Sequence, residues 1–331
     1  MTVLSEAVAA FLEHRRLAGR STQTIARYTS ALTMWQRWRE AATLDGDIQA
    51  ITIAELRDYL SYLLTERIPH DGNVRRAPAA TSGLAPHSVA NARTVLRAFW
   101  TFAGREGWLL PDQLDFFCGD RIPKIHIELE DRAYWRDDLV EQLLAACDHA
   151  AEEDRRRVRA IIALLYESGL RIDELCSLTD EQIDVHEQAA RVRGKGRKKR
   201  WVFWGEDAAT ELAAYLAVRR GASGGSLPLF RGTSPKNDGG ALSTHAVRAA
   251  IKRVAKRAQI DLPKGAPIHA SRHGFAHAMI DGGAPLSNVT DLLGHADPRI
   301  TMRYLHERKD RLQEVHRRAQ ERRRRAPDHG E

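Results

Sequence analysis

Cysteine is scarce in this chain of 331 residues. Cys118, Cys147 and Cys176 are odd in number, far apart and without CxxC spacing, which excludes a disulfide framework and a thiolate zinc site. A reducing cytoplasm is the expected compartment. No run approaches the 18 apolar residues that a membrane helix needs, and Met1–Arg16 carries Glu6 and Glu13 where a signal peptide would have a basic and then an apolar stretch. Neither secretion nor membrane insertion is expected. An apolar fraction of 43% with 29% charged residues excludes a disordered or collagen-like chain. A net charge of +7 makes a polyanion a candidate partner. Residues 299–331 hold 11 Lys or Arg against 6 Asp or Glu, so most of that excess sits in the tail and the body is nearly balanced.

What is present reads mainly as helix. Apolar residues at spacings of three and four mark helices over 3–17, 22–41, 53–66 and 86–105. Ser21 and Thr22 offer N-cap chemistry to the second, and Thr52 opens the third. Residues 67–85 read as a long exposed loop containing Pro69, Gly72, Pro78 and Gly83. Pro111, Gly119 and Pro123 interrupt a stretch without sustained periodicity. The organisation expected is therefore a helical domain over 1–110, a linker over 111–133 and a second domain over 134–331. Helical patterns resume at 136–147 and 155–168, followed by a short β region at 182–185, 189–194 and 201–204. Further helices are expected near 207–220, 244–258, 271–282, 286–293 and 308–325. The fold class is mainly α with a small antiparallel sheet.

Several groups could carry chemistry, and each also has an ordinary structural reading. Arg171 follows Gly169, a residue able to close a helix, and by itself fits a surface arginine. Glu174 fits a helix-start carboxylate. The tract Arg191–Arg200 has seven basic residues and no acidic one, with glycines on both sides of Lys195. It fits a solvated turn, or a flexible hairpin that carries one lysine to a phosphate. His269, His273 and His277 are four residues apart and suggest a metal stripe. A zinc hydrolase of the HExxH type needs glutamate where Ala270 stands, so a packed reading of His273 and His277, with His269 and Arg272 facing a ligand, is preferred. Leu292, Leu293 and Gly294 read as a helix end ahead of His295, and Tyr304 follows nine residues later. Two arginines, a lysine, two histidines and a tyrosine are the groups wanted for metal-free attack on a phosphodiester. Guanidiniums neutralise the non-bridging oxygens, the lysine protonates the leaving alkoxide and the phenol attacks.

This ensemble resembles the tyrosine recombinase (phage integrase) family. The matching residues are Gly169-Leu-Arg171 with Glu174-Leu175, Gly194-Lys-Gly196 followed by Lys199-Arg200, His269-x-x-Arg272-His273, Leu293-Gly-His295 and Tyr304. Lys195 lies 24 residues after Arg171, as the family's order requires. Each motif is weak alone, but five in register are specific. Ser21-Thr-Gln-Thr-Ile25 and the 86–105 helix extend the resemblance to the family's core-binding domain.

The resemblance implies a helical core-binding domain that clamps DNA and a mixed α/β catalytic domain. It assigns Arg171 and Arg272 to the scissile phosphate, His295 to a non-bridging oxygen or the nucleophile, and His269 to proton transfer with the tyrosine. Lys195 would be the general acid for the 5′-hydroxyl, Tyr304 the nucleophile that forms a 3′-phosphotyrosine, and Glu174 a supporting residue. It implies site-specific recombination of double-stranded DNA sites by a homo-tetramer, alone or together with a related recombinase, and no metal or other cofactor. A Xer-like layout without a preceding arm-binding domain is expected, with residues 308–325 docking on a neighbouring subunit. Four positions depart from the family. Ser271 replaces a leucine, His277-Ala278 stands for Thr-His, and Ile300 replaces the first of two threonines before the tyrosine. The alternatives are a topoisomerase-like nicking and resealing enzyme, a non-catalytic DNA-binding protein on the same scaffold, and a metal-dependent hydrolase built on the histidine stripe.

Overall fold

The computed structural model describes residues 2–69, 81–118, 121–127, 133–149, 151–194, 199–221, 224–234, 237–295, 297–302 and 317. The chain divides into two compact units, Met1–Glu130 and Asp131–Glu331.

The first unit is built from helices α1 (Leu4–Leu17), α2 (Thr22–Ala41), α3 (Ile53–Thr65) and α4 (Pro86–Arg105). Their starts follow local chemistry. Ser21 Oγ accepts from the Thr24 N–H, Thr52 Oγ1 accepts from the Glu55 N–H, and Pro86 occupies the first turn of α4, where its missing N–H costs nothing. The apolar stripes meet in an aromatic core around Phe11, Trp35, Tyr59 and Phe99, with Phe11 edge-on to Phe99 at 5.7 Å between ring centroids. Buried Arg39 forms an ion pair at 2.6 Å with the partly buried Glu55, and Arg39 also donates to the Asp45 carbonyl at 2.7 Å.

The segment expected to be a linker begins inside this unit. Leu109, Phe116, Phe117 and Ile122 are buried in the aromatic core, and Trp100 stacks on Phe116 at 5.5 Å. Gln113 is 1% exposed and forms the anchor. Its Nε2 donates to the carbonyls of Ile48, Gln49 and Ile51 at 3.2, 3.1 and 2.8 Å, and its Oε1 accepts from the Leu110 N–H at 2.9 Å. Aromatic residues spaced irregularly can cover a core without helical or strand periodicity, which is why 109–125 reads as loop from the sequence.

The second unit contains α5 (Asp137–Ala145), α6 (Glu152–Ser168), α7 (Ile172–Cys176), α8 (Glu206–Val218), α9 (Thr244–Arg257), α10 (His269–Asp281), α11 (Leu286–Leu293) and α12 (Pro298–Met302). An antiparallel sheet in the order β1 (Ile183–Asp184), β2 (Ala189–Arg193) and β3 (Lys199–Phe203) pairs Ala190 with Val202 and Arg193 with Lys199. Its β2 and β3 strands alternate, with Ala190, Val192 and Val202 buried while Arg191, Trp201 and Phe203 are exposed. A second hairpin, β4 (Arg231–Ser234) and β5 (Asn237–Ala241), lies in a region expected to be helical or loop. Helix α6 crosses the middle of the core, burying Ala160–Leu165 without interruption. Trp135 is fully buried, donates from Nε1 to the Pro267 carbonyl at 2.7 Å, and donates its backbone N–H to the Ala270 carbonyl, which ties the start of this unit to α10. No described helix is long and apolar enough to cross a membrane.

Replacing Gln113 by alanine strips three backbone carbonyls and one N–H of their shared partner. Gln113→Ala should lower the stability of the first unit by about 2 kcal/mol, because buried polar groups left unsatisfied cost ~1–3 kcal/mol each unless water reaches some of them. Hydrogen exchange of residues 48–51 and 110–114 in a urea series reads this directly. Protection unchanged from wild type would show that Gln113 is not the anchor.

Candidate active site

The site begins where α6 stops. Gly169 closes that helix in the left-handed region at φ +61°, and a Cβ there would stand 2.5 Å from the Phe275 ring, so both backbone and space call for glycine. The turn buries Leu170 and makes Arg171 the residue that caps α7. Glu174, in the first turn of α7, reaches back. Its Oε2 accepts from the Arg171 backbone N–H at 2.9 Å and its Oε1 from Arg171 Nη1 at 2.8 Å.

A second arginine, Arg200 of β3, grips the same carboxylate with both terminal nitrogens, Nη1 to Oε1 at 2.6 Å and Nη2 to Oε2 at 2.9 Å. Burial, the largest influence, would raise the Glu174 carboxyl. The hydrogen bonds from Arg200 and the Arg171 N–H, with the two guanidinium charges, outweigh it and hold the carboxyl below its ordinary value. Arg171 and Arg200 share this one negative charge, so the trio keeps a net positive charge.

Helix α11 supplies the other half. It ends at Gly294, left-handed at φ +60°, where a Cβ would stand 2.8 Å from Arg200 Cδ. Three consecutive carbonyls at this end each accept from a different arginine. Leu292 takes Arg200 Nε at 2.9 Å, Leu293 takes Arg272 Nη2, and Gly294 takes Arg171 Nη2 at 3.4 Å. Arg272 is 1% exposed, and its Nη1 also donates to the Gly169 carbonyl at 2.6 Å. The two helix ends, α6 and α11, are thus linked through one guanidinium.

His295 follows directly. Its Nδ1 lies 2.8 Å from Thr301 Oγ1 on α12. Burial first, then the charges of Arg272, Arg171, His269 and Arg200, lower its pKa to about 4, so the ring is neutral at physiological pH. A half-buried neutral imidazole ringed by guanidiniums marks a place whose potential is strongly positive, suited to an anion.

The residues expected from sequence fall into three groups. Arg171, Glu174, Arg272 and His295 are brought together by the ends of α6 and α11. His269 opens α10 as an exposed residue, edge-on to His273 at 5.1 Å between centroids, and its charge is felt at His295. The two residues expected to face a ligand side by side therefore differ in burial, with the Arg272 guanidinium turned inward to main-chain carbonyls. His273 and His277 are half-buried, and His277 stacks on Tyr134 at 4.1 Å. Lys195 and Tyr304 lie outside the described residues, as does all of 308–325 except Arg317. Arg200 was not expected at the site. Its signal was the alternation of β3, in which it occupies an inward register between exposed Lys199 and Trp201, an unusual place for an arginine without a buried partner. The departure at Ser271 is accommodated, since its buried Oγ donates to the Ile268 carbonyl at 2.8 Å. Among the described residues no cluster of three His, Cys, Asp or Glu side chains could hold a metal ion.

Comparison with known proteins gives a consistent picture. The model of the phage integrase family matches residues 134–311. Tyrosine recombinase XerD of Corynebacterium glutamicum is 32% identical over 301 residues, covering 90% of this chain and 91% of its own. Tyrosine recombinase XerC of Mycobacterium tuberculosis is 31% identical over 309 residues, covering 91% and 93%. Among solved structures, the Tn1549 transposon integrase in complex with a circular intermediate DNA superposes with a TM-score of 0.72 at 17% identity, covering 96% of this chain and 100% of that one. A lambda integrase dimer bound to a core site gives 0.67 at 16% identity, covering 92% and 95%. These structural likenesses concern the fold; the sequence matches span both units, and by them the chain belongs to the phage integrase family of tyrosine recombinases.

Proposed function

We propose that this protein is a site-specific DNA recombinase that breaks and rejoins double-stranded DNA through a 3′-phosphotyrosine. The observation that carries this reading is the convergence of Arg171, Arg272 and His295, widely separated in sequence, around the ends of α6 and α11. Arg171 and Arg272 would bind the non-bridging oxygens of the scissile phosphate, with His295 donating a further hydrogen bond. The Tyr304 phenol, whose ordinary pKa near ~10 makes it a poor nucleophile at neutral pH, would attack phosphorus as His269 takes its proton. The phosphorus–O5′ bond then breaks, Lys195 giving its proton to the leaving 5′-hydroxyl. Attack of a 5′-hydroxyl from another strand on the phosphotyrosine reverses these steps and seals the new joint. The ester conserves the phosphodiester energy, so no nucleotide is consumed.

Glu174 and Arg200 support the site by fixing Arg171. The exposed face of α9, with Arg248, Lys252, Arg253, Lys256 and Arg257 and no acidic residue, favours a DNA backbone as partner. On this reading the catalytic domain occupies 134–331 and the helical unit is the core-binding domain. The working form is a homo-tetramer on paired sites, alone or together with a related recombinase, in the cytoplasm, and residues 308–325 dock on a neighbouring subunit.

Three measurements test it. A nicked suicide substrate should trap a covalent protein–DNA complex in EDTA, and Tyr304→Phe should abolish it. Cleavage that requires added metal and survives Tyr304→Phe would overturn the mechanism, while resealing without exchange between two sites would point to a topoisomerase-like enzyme. Arg171→Ala and Arg272→Ala should each slow cleavage by roughly 10²–10³-fold, the usual effect of removing one transition-state donor. Near-normal rates in both would remove them from the phosphate. In the free protein, His295 should titrate near pH 4 by NMR and therefore stay neutral from pH 5.5 to 8. Because a bound phosphate brings negative charge beside the ring, DNA should move that midpoint upward. An ordinary midpoint near 6.5 without DNA would refute the positive pocket.

A further inference from the structure

Helix α12 brings a fully buried hydroxyl to the ring of His295. Thr301 has no exposed surface, and its Oγ1 lies 2.8 Å from His295 Nδ1. Threonines within helices commonly turn their hydroxyl back to the carbonyl four residues earlier. Thr29, Thr65, Thr94, Thr101 and Thr290 all do so here, at 2.7–3.0 Å. Thr301 instead engages the histidine.

The consequence follows from imidazole chemistry. A neutral ring has one N–H and one bare nitrogen, and these determine what it can do. With the N–H at Nε2 the ring donates to an anionic oxygen. With the N–H at Nδ1 it would present a lone pair to that oxygen and repel it. In the free protein the ring is not doubly protonated, because burial and the surrounding guanidiniums keep it neutral well below physiological pH. A hydroxyl can donate or accept, so it can hold either tautomer, but only donation to Nδ1 leaves a donor for the phosphate.

We infer that Thr301 is a positioning residue: its hydroxyl donates to His295 Nδ1 and holds the ring as the Nε2–H tautomer, ready to donate to the scissile phosphate. The functional part rests on the cleavage reading above; the hydrogen bond does not. Valine matches threonine in shape without the hydroxyl, so Thr301→Val preserves the packing of α12 and removes the interaction. Serine keeps the hydroxyl.

The test combines a spectrum with a mutant cycle. In the DNA-free full-length protein at pH 7, ¹⁵N-labelled histidine should show His295 Nδ1 as an unprotonated, pyridine-type nitrogen; a pyrrole-type Nδ1 overturns the inference. Thr301→Val should slow covalent-complex formation on the suicide substrate by roughly tenfold to 10²-fold, less than removal of a whole transition-state donor. Thr301→Ser should recover most of the rate. On a His295→Ala background, Thr301→Val should cause no further loss, since its partner is gone. Losses that multiply would instead mean that Thr301 acts through the packing of α12 and would overturn the positioning role, as would a Thr301→Val rate equal to wild type. If the wild-type protein forms no covalent complex the cleavage reading fails, while the nitrogen spectrum still decides the hydrogen bond.

Discussion

Helix α11 ends with three carbonyl oxygens, those of Leu292, Leu293 and Gly294, and each is taken by a different arginine. A helix end leaves its last carbonyls unpaired and carries a partial negative charge, so it is a natural seat for cations. Here the seat is used to locate three guanidiniums that arrive from β3, α10 and the start of α7. Two of these elements, β3 and α7, are far from α11 in sequence, and α10 directly precedes it. Their mutual repulsion is offset by the helix end and by the buried Glu174 carboxylate that Arg171 and Arg200 share. Removing that carboxylate would leave two cations facing each other in a half-buried setting, a loss on the order of 3–5 kcal/mol for a buried pair. The left-handed Gly294 is part of the same arrangement, because the Arg200 side chain passes where a Cβ would be.

Much of this was legible in the sequence, for physical reasons that differ from residue to residue. Helices announce themselves through spacing and caps, and Ser21 and Thr52 accept the hydrogen bonds that their positions suggest. The small sheet announced itself through β-favouring residues on either side of a glycine-containing turn. The β4–β5 hairpin did not, because Arg-Gly-Thr-Ser and Asn-Asp-Gly-Gly-Ala carry neither branched apolar residues nor a clean period of two. The packing of 109–125 was hidden for a related reason, since Phe116, Phe117 and Ile122 are buried by an irregular path that leaves no periodic trace. At the site, motif spacing singled out Arg171, Arg272 and His295 as candidates, but no spacing could reveal that the two arginines rest on main-chain carbonyls.

The same distinction explains Arg200 and Thr301. Each stands in a stretch where an ordinary reading suffices: Arg200 ends a basic run, and Thr301 lies on a short helix. Their meaning is entirely tertiary. Arg200 is inward-facing on a strand and must therefore find a buried anion, which is Glu174. Thr301 is buried on a helix and must satisfy a hydroxyl, which it does on His295 rather than on its own backbone. Buried polar groups of this kind are informative because leaving them unpaired is expensive.

The charge balance of the chain takes on a different meaning in this light. An excess of +7 located mostly in residues 299–331 says little about where a phosphate is gripped. What matters is local. Around His295 the cations are held against neutral carbonyls and a single shared carboxylate, so their field stays directed at the pocket instead of being cancelled. Burial, helped by that field, deprives His295 of its proton, and a histidine without a proton to spare serves an anion through a fixed tautomer. The positive pocket and the buried threonine are therefore two parts of one requirement: the stronger the guanidinium field, the more the histidine depends on a neutral donor behind it to keep its single N–H pointing forward.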